Sequence, residues 1–115
     1  MRKKIILFVL LGLQTIYADN LLDVSKEVCI EIKKGDLDAL KTHLTKYKLN
    51  SIIEDHDKIK EFMSSPKYLD FAKDLNCDKP DKIKTKDNGQ KLVYYGRYAV
   101  RLKLVNSQWK LYDLF

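Results

Sequence analysis

The stretch Lys91–Phe115, KLVYYGRYAVRLKLVNSQWKLYDLF, decides the fold. From Tyr98 onward, Tyr98, Val100, Leu102 and Leu104 point one way, while Arg97, Arg101 and Lys103 point the other. That two-residue period is the pattern of a half-buried strand. Asn106-Ser107 reads as a tight turn closing a last hairpin. The register this turn predicts sets Leu104 opposite Trp109, Leu102 opposite Leu111, Val100 opposite Asp113 and Tyr98 opposite Phe115.

Working upstream, Asn88-Gly89 is a strong two-residue hairpin signal. It pairs 82–86 with 91–95 and places Ile83 and Thr85 on the face of Leu92 and Tyr94. Gly96-Arg97 fits two alternatives, a two-residue turn with glycine first or a bulge in one bent strand. The alternatives put Tyr94 and Tyr95 on different faces.

The preceding segments carry a helical period. Leu21, Val24, Val28 and Ile32 form one stripe over 20–34, with Ser25 and Cys29 on its shoulder. Asn20 is the expected N-cap and Gly35 the expected stop. Asp36 caps a second helix with Leu37, Leu40 and Leu44 on its stripe, and His43, off that stripe, reads as a solvated surface histidine. Residues 46–50 are expected to form a break, followed by a third helix over 52–63 that carries His56 on its apolar side. Ser65-Pro66 starts a fourth helix bearing Tyr68, Leu69, Phe71, Ala72 and Leu75. The order, helices first and then an antiparallel meander, is α+β, a single domain over 19–115 with helices covering one face of a sheet of about four strands.

The N-terminus has the layout of a cleaved signal peptide over 1–18. Arg2, Lys3 and Lys4 precede an apolar run at 5–13, and small residues end at Ala18 before polar Asp19-Asn20. The run is too short to span a bilayer comfortably, so no stable membrane span is expected after cleavage. Losing Arg2, Lys3 and Lys4 lowers the formal net charge from +6 to +3. A modest charge of mixed sign argues against a nucleic-acid partner. The chain is therefore expected in the periplasm or secreted. Both cysteines, Cys29 and Cys77, would meet an oxidising compartment, which predicts a disulfide between them worth about 4 kcal/mol in the chain-entropy model. No C-x-x-C occurs and the histidines lack ligand-like spacing with the cysteines, so neither a metal nor another cofactor is expected.

The helix, the Lys33-Lys34-Gly35-Asp36 corner, a second helix with Leu-x-x-Leu at Leu37 and Leu40, and a final Asn106-Ser107-Gln108-Trp109-Lys110-Leu111 turn and strand together resemble the nuclear transport factor 2-like superfamily. The likeness is greatest to its small exported bacterial members. The resemblance implies a cone, a strongly curved sheet whose concave face is closed by helices to form a pocket. Enzymes of that fold, such as ketosteroid isomerase and polyketide cyclases, use a pocket carboxylate or a His-Asp pair, often with tyrosine hydroxyls. None of their motifs occurs here, so no catalytic residue carries over.

Nucleophilic and phosphate-binding motifs are also missing from the sequence. The residues that stand out as ligand or partner candidates are His56, Tyr94, Tyr95, Tyr98 and Asp113. The expected function is an exported, non-catalytic binding domain for a small apolar ligand or a cell-envelope partner protein. The alternatives are an isomerase- or cyclase-like enzyme using Asp113 or His56 with a tyrosine, and an exported inhibitor or immunity-type protein.

Overall fold

The computed structural model describes residues 20–115, and the signal sequence expected over 1–18 lies outside them. Helix α1 occupies the described residues 20–34. Its buried side chains are Leu21, Ser25, Val28, Cys29 and Ile32, with Val24 packed at the margin. Its end is a Schellman closure. Gly35 N–H donates to Ile32 O, and Asp36 N–H donates to Glu31 O at 3.0 Å. Gly35 has φ +68°, a conformation that favours a residue without Cβ. Asp36 then caps α2 (Leu37–Lys41), accepting from Ala39 N–H at 3.1 Å. A three-residue corner thus ends one helix and starts the next.

The middle of the chain departs from expectation. Residues 46–50 are not a break but most of α3 (Lys46–Ile52), because Thr45 accepts from Lys48 N–H and supplies an N-cap. The single helix expected over 52–63 is divided at 53–55, and α4 begins at His56 (His56–Phe62). Helix α5 (Pro66–Lys73) starts as its sequence indicates, with Pro66 in its first turn and Ser65 Oγ accepting from Tyr68 N–H. Leu69, expected on the apolar side of α5, is exposed instead.

Strands β1 (Lys82–Thr85), β2 (Lys91–Tyr95), β3 (Tyr98–Val105) and β4 (Gln108–Asp113) form an antiparallel meander in the order β1-β2-β3-β4. The protein is α+β. Gly96-Arg97 is a two-residue turn, since Tyr95 pairs with Tyr98 and Gly96 alone of the two has positive φ. That is the type II′ signature, which suits the strand twist. Asn106 and Ser107 both have positive φ, the type I′ form.

The first hairpin is one residue longer than expected. Gly89 N–H donates to Lys86 O, Lys86 N–H donates to Gln90 O, and only Gly89 is left-handed. The connection is therefore Asp87-Asn88-Gly89, and Ile83 pairs with Val93 while Lys84 pairs with Leu92. A one-residue slip moves every side chain to the other face. Ile83 and Thr85 thus share the face of Val93, and Tyr94 shares the opposite face with Lys82.

The last hairpin begins in the expected register, with Leu104 opposite Trp109 and Leu102 opposite Leu111. It then shifts between Leu102 and Arg101. Two β4 residues, Tyr112 and Asp113, fit against one step of β3, so Asp113 pairs with Arg101 and not with Val100. The bulge turns Asp113 away from the core face. The outer edge of β4 is covered by the segment after α2. Leu111 N–H donates to His43 O at 2.7 Å, and Thr45 N–H donates to Leu111 O at 2.9 Å.

The core lies between the helices and the face bearing Val93, Tyr95, Tyr98, Val100, Leu102 and Leu111. Cys29 and Cys77 sit at disulfide distance, with Cα atoms 5.8 Å apart and a sequence separation of 48. That pair links the side of α1 to the segment after α5. Among the described residues, no helix is long and apolar enough to cross a membrane.

Candidate functional site

Five aromatic side chains close into a ring at one end of the core. Phe62 of α4 meets Tyr68 of α5 at 5.4 Å between ring centroids, and Tyr68 meets Phe71 at 5.7 Å. Phe71 meets Tyr98 of β3 at 6.0 Å, Tyr98 meets Phe115 at 6.4 Å, and Phe115 returns to Phe62 at 5.7 Å. All these pairs are edge-to-face, the arrangement that aligns a positive ring edge with a negative ring face. The Ser65-Pro66 cap sets the angle at which α5 leaves α4. Residues 62 and 68, on consecutive helices, are thereby brought to one side.

The ring surrounds a cleft of about 340 Å³, whose other lining residues are Lys67, Arg97, Ala99 and Arg101. Every ionisable side chain in that lining apart from the tyrosines is a cation. Tyr68 and Tyr98 form the floor and are 2% and 5% exposed, whereas Phe62 and Phe115 at the mouth are 47% and 42% exposed. Phe71, Arg97 and Tyr98 also border a wider cleft of about 900 Å³, which continues to Asp74, Asp78, Asp81 and Tyr95. There Asp81 Oδ2 accepts from Gly96 N–H at 2.6 Å and holds the β2–β3 turn against the strand's approach.

The tyrosine hydroxyls at this end serve the fold. Tyr68 donates to Ile32 O, and Tyr98 donates to Leu114 O at 3.0 Å. Tyr95 shares a buried hydrogen bond of 3.0 Å with Ser25. Burial pushes the Tyr68 phenol up to about 12. Burial also raises Tyr98, with smaller upward contributions from Tyr68 and Asp113 against the pull of Arg101. In Tyr95, burial outweighs the lowering by the Ser25 bond. Phenols held neutral and already hydrogen-bonded are poor proton donors or acceptors at neutral pH.

The candidates read from sequence fall in different places. Tyr98 lines both clefts and Tyr95 the wider one. Tyr94 lies on the opposite sheet face, with Lys82 Nζ 4.8 Å over its ring. His56 is half-buried at the start of α4 and lines neither cleft, and its Nδ1 is buried without a hydrogen-bond partner. Asp113 lies 3.1 Å from Lys48 Nζ, with its side chain 43% exposed, and borders a shallower depression shared with Phe62 and Phe115.

Sequence reasoning did not single out Phe62, Phe71, Phe115, Lys67, Arg97 or Arg101 as site residues. The available signals were the aromatic spacing of Phe62, Tyr68 and Phe71 and the hairpin register that set Tyr98 opposite Phe115, but nothing local joins the two groups. His43 is a further correction. Its side chain is only 15% exposed and lies against Glu31, not in solvent.

No protein-family model, no curated protein and no solved structure matches this chain.

Proposed function

We propose that the chain is an exported, non-catalytic binding domain of the nuclear transport factor 2-like kind, and that its aromatic cleft takes a small apolar ligand bearing an anionic group. The observation that carries this reading is the ring of five aromatic side chains with Lys67, Arg97 and Arg101 along its rim. Rings serving the core alone would be covered, yet Phe62 and Phe115 keep more than two-fifths of their surface in solvent. The cleft volume lies within the ~300–1,000 Å³ usual for small-molecule sites. Lys67, Arg97 and Arg101 supply the few polar groups that such sites use to orient a ligand, and their charge selects a carboxylate or sulfonate.

Two further observations support the family reading. The Lys33–Asp36 corner closes α1 and opens α2 as the resemblance requires. Lys86, beyond the end of β1, lies 5.9 Å over the ring of Tyr112 on β4 although two strands intervene. Outer strands of a flat four-stranded sheet stand about 14 Å apart, so this contact fits a curled sheet. The isomerase or cyclase alternative requires a base in the cleft. The lining offers cations and tyrosines whose hydroxyls bond Ile32 O and Leu114 O.

Calorimetric titration with decanoate, decanol and decylammonium tests the proposal. Decanoate is expected to bind saturably at one per chain, decanol more weakly and decylammonium least. Absence of saturable binding by all three, or preference for the amine, would overturn it. In the first case the exposed Phe62–Phe115 mouth becomes a contact for a partner protein.

A further inference from the structure

We infer that Glu27, Glu31 and His43 form a binding site for one divalent zinc-class ion, on the α1–α2 side of the molecule. This inference is independent of the aromatic cleft. The three donors come from two elements. Glu27 and Glu31 are four residues apart on α1 and so share one helix face. His43 stands after α2, where its backbone is fixed at both groups: its N–H donates to Leu40 O, and its carbonyl accepts from Leu111 N–H. The Glu31 end of α1 is fixed likewise, by the bond from Asp36 N–H to Glu31 O.

The spacing is that of a coordination edge. His43 Nε2 lies 3.0 Å from Glu31 Oε2 and 3.7 Å from Glu27 Oε1, and the three donor atoms all fall within 4.8 Å of one another. Zinc bonds of ~2.0–2.2 Å to imidazole and carboxylate, arranged tetrahedrally, put donors about 3.4 Å apart. Little movement is needed to admit the ion. The fourth position would face solvent on the side of Glu27, whose side chain is 62% exposed.

The site is also poorly satisfied as a plain ion pair. With its proton on Nε2, His43 faces both Glu31 oxygens, Oε2 at 3.0 Å and Oε1 at 3.2 Å, but its single N–H is directed to Oε1, so the buried Oε2 keeps an ionic contact without a hydrogen bond. A second carboxylate at the i,i+4 position adds like charge, which is unfavourable unless a cation stands between the two. A divalent ion would remove that tension. One imidazole with two carboxylates and no thiolate suits Zn²⁺ and its neighbours Co²⁺ and Mn²⁺, whereas Ca²⁺ and Mg²⁺ take all-oxygen sites. Spacing relative to the cysteines could not reveal this set, because the cysteines take no part in it.

The test uses untagged protein freed of metal by chelator. Zn²⁺ is titrated against a chromophoric competitor, and Co²⁺ is added separately to read the visible d–d bands. The expected result is one ion per chain, with Co²⁺ bands displaced by Zn²⁺. Affinity should fall at least ~10-fold in Glu27→Gln and in His43→Gln, a loss no smaller than that typical of an outer-shell partner. Glu27→Gln alters an exposed side chain and removes a like charge beside Glu31, so the metal-free variant should melt no lower than wild type and stay folded. The inference is overturned if wild type binds no Zn²⁺ at one equivalent. It is equally overturned if both variants bind as wild type does, which would place the ion elsewhere.

Discussion

The rings of Phe62 and Phe115 meet edge-to-face, with centroids 5.7 Å and planes 88° apart, joining α4 to the last residue of the chain. This contact closes the aromatic ring at its exposed side. Phe115 is 42% exposed, so replacing it removes more binding surface than core. Phe115→Ala should cost about 1 kcal/mol of stability, less than a fully buried phenylalanine would. Decanoate affinity should fall roughly tenfold, as expected for losing one wall of an apolar site. Urea denaturation and calorimetry on the same variant separate the two effects.

Alkaline pH should destabilise the protein through its buried tyrosines. Tyr68 is raised to about 12 in the fold, and Tyr95 and Tyr98 are raised as well. An unfolded tyrosine ionises near 10, so above that value the unfolded chain has released protons that the folded chain keeps. Stability is therefore complete below about pH 10 and falls as pH rises toward the folded values. Tyrosinate absorbance near 295 nm should show these residues titrating late, together with the unfolding transition. Early, smooth titration of every tyrosine would contradict their buried placement.

Opening the Cys29–Cys77 link should matter more than any surface change. Cys29 is fully buried, and the pair is 48 positions apart in sequence. Reduction, or Cys77→Ser with Cys29→Ala, should lower stability by about 2–4 kcal/mol. The shift in urea midpoint between oxidised and reduced protein reads this directly.

Asp113 offers a contrast between the two chemical readings. It pairs with Lys48 at 3.1 Å on a partly exposed surface. Asp113→Asn should change stability by less than about 1 kcal/mol and leave decanoate binding unaltered. A large loss of ligand binding in this variant would favour the enzyme alternative, in which Asp113 serves the pocket.

Local signals in the sequence were enough for the elements that depend on local chemistry. The α1 stripe, the Gly35-Asp36 corner and the Ser65-Pro66 start are each set by residues a few positions apart, and they stand where the sequence puts them. The departures come from choices that differ by one residue. Asn88-Gly89 serves a two-residue or a three-residue connection, and the longer one flips β1 relative to β2. The bulge at Tyr112–Asp113 has no marker such as glycine, so Asp113 could not be placed from alternation alone. The Thr45 cap was hidden among lysines. The aromatic ring was only partly legible for another reason: the hairpin register set Tyr98 near Phe115, but Phe62 and Phe71 reach them only through tertiary packing.

The most direct measurement is a carbon-resolved NMR titration of the aromatic side chains with decanoate. The account predicts saturable shifts at one equivalent, largest for Phe62, Phe71, Tyr98 and Phe115, and small for Tyr47 and Tyr94. Shifts centred on Tyr94 and Tyr112, or none that saturate at the ring, would contradict it.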